Sequence, residues 1–250
     1  MKFKPRAVQT VGTSLLLVLV LLEVLLTLVY LAGVFFTGKA YPLFDMDGLM
    51  TIPSLLQAFQ LLLVGLIALS LLIIQPPSSP HLSRLFLLTV AVLFIYGAID
   101  EVFKIHLQLH RLFHTPTNRD WLPFYFGIGV TTIVMFYRDF IAIWRFHQKA
   151  IAFIALGMGI FILGGFGAEL LKHELVHTVV SQISRQDELI PVLVEKLRVA
   201  VEEFSELLGE SIMLYGIFLY VAKRLSLTSS PTIKVRGFQR SLLGFPLSTS

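Results

Sequence analysis

Glu202-Glu203-Phe204-Ser205-Glu206-Leu207-Leu208-Gly209-Glu210 decides how this chain folds, because it sets four carboxylates inside the last strongly apolar stretch. A charged side chain at the centre of a bilayer costs about 2.5–3.5 kcal/mol on insertion scales. Four that were ionised and lipid-facing would cost on the order of 10 kcal/mol. These acids must therefore turn into a bundle interior, take up protons, pair with cations, or lie near the wet end of their helix. At 100° per residue Glu203, Glu206 and Glu210 fall within about 60° of one another, while Glu202 lies off that face. The reading that follows is a packed helical bundle around a buried polar site.

The rest of the chain supplies the bundle. Apolar residues make up 56% and charged residues 14%, and the mean hydropathy is +0.80. Six stretches are long enough to cross roughly 30 Å of hydrocarbon, which takes about 20 helical residues each. They lie near 11–36, 52–75, 83–105, 121–144, 150–174 and 198–222. None alternates with period two, and open sheet edges cannot face lipid, so all six are expected to be helices. The expected fold is an all-α membrane protein, a bundle of six transmembrane helices over residues 1–223, followed by a tail over 224–250. Lys2, Lys4 and Arg6 before the first run resemble the start of a secretion signal. That run exceeds the roughly 7–15 residues of a signal core and no clear small-residue cleavage site follows, so a retained first helix is expected. Cysteine is absent, which excludes disulfides and thiolate metal sites.

Charge sorting sets the orientation. With both termini cytoplasmic, the inner segments carry Lys2, Lys4, Arg6, Arg84, Arg138, Arg145, Lys149, Lys223, Arg224, Lys234, Arg236 and Arg240, more than half of the 20 basic residues. Of the 16 acids only Asp139 falls on that side. Glu23 sits near the middle of the first span, and the other acids lie in the outer half or beyond it. His106, His110, His114, His173 and His177 follow them outward. The basic tail, with Thr228-Ser229-Ser230 and Pro231, is expected to be mostly disordered and to meet anionic lipid headgroups rather than nucleic acid. Docking of a membrane-protein partner is the other use for it. The expected location is a bacterial cytoplasmic (inner) membrane or an equivalent energy-transducing membrane.

Three elements bring ligand-type side chains toward the outer face. The third span ends in Asp100-Glu101, with His106 and His110 beyond; the fifth ends Gly164-Gly165-Phe166-Gly167-Ala168-Glu169, with His173, Glu174 and His177 beyond; the sixth opens with the acidic run. Glu169, His173 and His177 span about 80° of one helix face. In an unbroken helix Glu101 and His106 would point about 140° apart and Asp100 and His106 about 120°, so they meet only if the helix unwinds near Lys104. Glu101 or Asp100 can instead pair with Lys104.

Carboxylates and imidazoles from several helices form the ligand sets of di-iron and di-manganese bundles and also suit zinc. Asp100, Glu101, His106, Glu169, His173, Glu203, Glu206 and Glu210 are the candidate ligands of a divalent transition metal, iron, manganese or zinc. The same acids suit a proton or cation pathway. They also suit a structural network with Lys104, Arg119, Lys172 and Arg198. His173-Glu174-Leu175-Val176-His177 reads His-Glu-x-x-His, the zinc protease pattern, and is a minor alternative. Glu23 is expected to bond a neighbouring helix, Gln57 and Gln60 to join helices, and Gly164-Gly165 to permit close packing. Thr51-Ile52-Pro53-Ser54 reads as a helix start. Trp121 suits an interfacial belt. Residues 186–199 are expected to form a short helix on the outer surface.

The chain resembles a group of uncharacterised bacterial multi-pass membrane proteins at four places. These are Phe44-Asp45-Met46-Asp47-Gly48 leading into Thr51-Ile52-Pro53-Ser54; Asp100-Glu101 with Ile105-His106; Gly164-Gly165 before Glu169; and Glu202-Glu203 with Glu206 and Gly209. In that group an acid follows the histidine, where this chain has Leu107, and His-Glu-x-x-His is not shared. The resemblance implies no established activity. The leading expectation is a metal-binding membrane protein, with a carboxylate-bridged oxidoreductase as one form of it. The rivals are a proton- or cation-coupled transporter and a structural subunit of a membrane complex.

Overall fold

The computed structural model describes residues 5–73, 82–108, 121–168 and 189–229. All described regular structure is helical: α1 (Pro5–Thr37), α2 (Ile52–Ile73), α3 (Arg84–Phe103), α4 (Trp121–Met135), α5 (Tyr137–Phe146), α6 (Gln148–Phe161) and α7 (Leu189–Ser229), with short turns at Pro42–Phe44, Ile105–Gln108 and Ile162–Phe166. Among the described residues five helical stretches are long and apolar enough to cross a membrane (α1, α2, α3, α6 continued through the following turn to Gly165, and α7), and α4 with α5 makes a sixth if that bent pair is counted as one span.

The surface is inverted relative to a water-soluble bundle. Leu17, Leu21, Leu25, Phe35, Phe36 and Leu163 stand exposed, whereas Glu23, Gln57, Gln60, Asp100, Glu203, Glu210 and Ser211 are buried. Polar groups inside and large apolar side chains outside fit a chain solvated by lipid.

The helices pair through small residues. A Cβ on Gly209 of α7 would stand 2.6 Å from the Gly157 carbonyl oxygen and 2.8 Å from Phe161 N of α6, so the two backbones meet only because Gly209 has no side chain. Leu19 of α1, Val64 of α2 and Met213 and Leu214 of α7 form the central core. Ala58 and Leu61 pack α2 against Ala98 of α3. At the opposite end from the acids, Leu82, Phe86, Phe136, Ile143, Ala150 and Tyr220 tie α3, α4–α5, α6 and α7 together.

Two boundaries differ from the sequence expectation. The span expected over 121–144 is broken at Phe136, where α4 and α5 meet at a 65° bend. Phe136 is held there by Phe86, 5.5 Å away between ring centroids, and Phe86 also packs edge-on against Phe140. The short surface helix expected over 186–199 does not stand apart: α7 runs unbroken for 41 residues and reaches Ser229, into the segment read as a tail. Pro191 does not stop it because it lies in the first turn, where its missing N–H is not needed. The end of α3 lies within the expected span: the helix stops at Lys104, whose φ of 45° and ψ of 49° are left-handed, and so unwinds at the point where Asp100 and His106 required it to. The helix start at Thr51-Ile52-Pro53-Ser54 is as expected, with Pro53 in the first turn of α2.

Candidate functional site

The left-handed turn at Lys104 folds the end of α3 back on itself. His106 N donates to Asp100 Oδ1 at 2.7 Å, and His106 Nδ1 lies 2.8 Å from Asp100 Oδ2. These two residues would diverge on a continuous helix, so the unwinding near Lys104 is what joins them. Tyr125 of α4 packs edge-on to His106 at 6.4 Å, and its hydroxyl lies 3.0 Å from that of Tyr96.

The same turn aims the Lys104 side chain inward, where it is only 6% exposed. Its ammonium donates to Glu101 Oε2 at 2.9 Å and lies 3.9 Å from Glu203 Oε1 on α7. One buried cation therefore sits between carboxylates of two helices. Breaking such an arrangement by removing one partner leaves a buried charge uncompensated.

Deeper along α7 the acids change partner. Gln57 Nε2 of α2 donates to Glu206 Oε2 at 2.9 Å and approaches Glu210 Oε1 at 3.4 Å. One turn further, Glu23 of α1 receives Gln60 Nε2 at 3.0 Å and Ser211 Oγ at 2.6 Å, both on Oε1. The second oxygens of Glu23 and of Glu210 are buried with no partner among the described residues. From Lys104 to Glu23 the polar groups thus occupy successive levels of one bundle interior, supplied by α1, α2, α3 and α7. Glu202, expected off this face, instead pairs with Arg198, which also holds Glu195 through bonds of 2.9 and 3.0 Å.

Two features shape the chamber. Gly165, in the π-helical turn Ile162–Phe166, lies where any Cβ would collide with the Glu206 carboxylate. Met46, 0% exposed, packs with Tyr30, Val34, Val199, Ala200 and Leu207, and so anchors the loop between α1 and α2 over the acids. Asp47 of that loop is within electrostatic reach of Glu203. Asp45 Oδ1 is buried without a partner among the described residues.

Of the sequence-predicted ligands, Glu101, Glu203, Glu206 and Glu210 line this one interior. Asp100 and His106 form a neighbouring pair at the end of α3. Glu169 and His173, with His110, His114, Glu174 and His177, lie outside the described residues. Among the described residues, no three His, Asp or Glu side chains come together as a metal-ligand set. Sequence reasoning missed that Gln57 bridges two acids, that Ser211 completes the Glu23 cluster, and that Met46 plugs the chamber. The spacing of Gln57 and Gln60, three residues apart on a helix, was the available signal for the first two.

The chain belongs to a family defined as a domain of unknown function, DUF8692, whose pattern matches residues 13–222. No curated protein and no solved structure matches it.

Proposed function

We propose that this chain is a multi-pass protein of a bacterial cytoplasmic membrane that moves a proton or small cation along its buried carboxylates. The observation that carries this reading is the depth of the polar run. Ligands of one centre sit about one turn apart on a helix, whereas Glu203, Glu206 and Glu210 together descend about 10.5 Å of α7. Glu23, Gln60 and Ser211 then extend the run from the other helices. Intramembrane acids that face a bundle interior characteristically mark ion and proton routes. The oxygens of Glu210 and Glu23 without partners are acceptors for such a cation. The cytoplasmic side is the end that bears Arg84, Arg138, Arg145, Lys149 and Lys223.

The test is reconstitution into liposomes carrying an internal pH dye, with proton, sodium and potassium gradients imposed in turn. Wild type is expected to dissipate at least one gradient and Glu203→Gln to lose that flux. Wild-type vesicles no leakier than empty ones under every gradient would remove the proposal.

A second reading, a divalent-metal centre with an oxidoreductase as one form, is favoured by one contact: Gly165 brings Glu206 against the turn after α6, whose chain continues to Glu169. Against it, the Lys104 ammonium already occupies the space between Glu101 and Glu203. Elemental analysis of chelator-free protein separates the two. Stoichiometric iron, manganese or zinc that is lost in Glu203→Ala with Glu206→Ala would favour the metal centre.

A further inference from the structure

The end of the bundle opposite the acids carries a second buried charge that transport does not use. Arg224 of α7 is 4% exposed. Its Nη1 donates to Tyr220 Oη at 3.3 Å, while Nε and Nη2 are buried with no partner among the described residues. A guanidinium stays charged at all accessible pH values, so it cannot escape the cost of burial by losing a proton. Nε and Nη2 form the side edge of the guanidinium fork, the pair of parallel donors that grips two oxygens of one phosphate or carboxylate.

Nothing nearby within the described chain completes that edge. Asp139 is the single carboxylate at this end among the described residues, and its two oxygens accept from Ser83 N at 2.6 Å and Ser83 Oγ at 2.9 Å. Around it the core of Leu82, Phe86, Phe136, Ile143, Ala150 and Tyr220 draws together the helix ends that carry Arg84, Arg138, Arg145 and Lys149, all exposed. Lys223, also exposed, adjoins Arg224 itself. A buried unsatisfied fork at the end of the bundle that bears these exposed cations has the electrostatic form of an anion site.

We infer that Arg224 anchors a phosphate group at the basic end of the bundle, its Nε and Nη2 taking two phosphate oxygens while the surrounding lysines and arginines select for net negative charge. The shared chemistry is phosphate, and its two sources are an anionic lipid headgroup at the membrane surface and free inorganic phosphate. The inference does not depend on the transport reading.

The full chain, purified and delipidated in detergent, is titrated separately with phosphatidylglycerol, phosphatidylcholine and inorganic phosphate. Thermal unfolding is followed, with native mass spectrometry to count retained lipid. Phosphatidylglycerol raising the Tm and remaining bound at one per chain, with phosphatidylcholine weaker, assigns the site to an anionic lipid. Stabilisation by inorganic phosphate alone assigns it to the free ion. Arg224→Gln is expected to weaken the effective ligand about tenfold, since a charge-assisted pair is lost, and the exposed control Arg138→Gln to change it less than about twofold. If no probe stabilises wild type, or if Arg224→Gln binds the ligand as wild type does, the site does not exist. Because the wild-type titration alone can give the first of those results, the inference stays exposed even if the glutamine variant fails to fold. Arg224→Lys, which keeps the charge but lacks the fork, is then expected to bind more weakly than wild type, and equal binding would overturn the role of the fork.

Discussion

Gly165 lies so close to Glu206 that a Cβ added to the glycine would stand 3.0 Å from the glutamate Cδ and would collide with Oε1. The obstructed atom is the far end of a flexible side chain. Gly165→Ala is therefore expected to push the carboxylate aside rather than part α6 from α7. The Tm should stay within about 4 °C of wild type while gradient dissipation falls. Full flux with the alanine in place would show that the position of the Glu206 carboxylate does not matter.

Gly157 poses the opposite problem, because a Cβ there meets backbone, 2.6 Å from Met213 N and in collision with the Gly209 carbonyl. Backbone cannot swing away. Gly157→Ala should cost about 1–3 kcal/mol in unfolding, whereas Gly127→Ala, with nothing within 4 Å of the new atom, should stay within about 0.5 kcal/mol. Thermal or denaturant unfolding of the pair in one detergent compares them, and similar losses would mean that α6 and α7 are not in contact at this level.

Removing the Lys104 ammonium leaves Glu101 and Glu203 facing each other without a counter-ion. Lys104→Met should destabilise by about 3–5 kcal/mol, the cost of an uncompensated buried charge. Adding Glu203→Gln to that variant should restore part of the loss, because it removes one of the stranded charges. A double-mutant cycle measures the coupling. Strictly additive effects would place the two residues out of contact.

Gln57 is the donor shared by Glu206 and Glu210. Gln57→Leu keeps similar volume and removes that donor, so a loss of about 1.5–3 kcal/mol is expected, as for hydrogen bonds to charged groups. A leucine variant as stable as wild type would mean that the amide leaves no carboxylate unsatisfied.

Glu23 accepts from Gln60 and Ser211 through one oxygen, and an amide oxygen can replace it. Glu23→Gln should change stability by less than about 1 kcal/mol yet reduce proton or cation flux. The measurement is again dye-loaded liposomes, and undiminished flux would remove Glu23 from the route.

Much of this arrangement was legible in the sequence, because long apolar runs broken by few charges leave little choice of structure. The long apolar runs could only be helices, and the 100° step put Glu203, Glu206 and Glu210 on one face with Glu202 off it. An acid isolated in an apolar run, Glu23, needed a neighbour on another helix, and Gln60 is one. The breaks were less legible: the helical step said only that Asp100, Glu101 and His106 could meet if α3 unwound near Lys104. Lys104 takes a left-handed turn that lysine does not favour, and no residue near Phe136 announces a bend. Both are set by contacts made after the helices pack: Lys104 by carboxylates on two helices, Phe136 by the ring of Phe86.

Local periodicity and the cost of burying bare polar groups therefore determined helix identity and the facing of the acids. Those quantities depend only on residues a few positions apart. Which acid takes Lys104, which takes Gln57, and which oxygens are left without a donor were decided by tertiary structure. Each depends on distances between helices remote in the chain, and a hydrogen bond changes from made to lost within about an ångström.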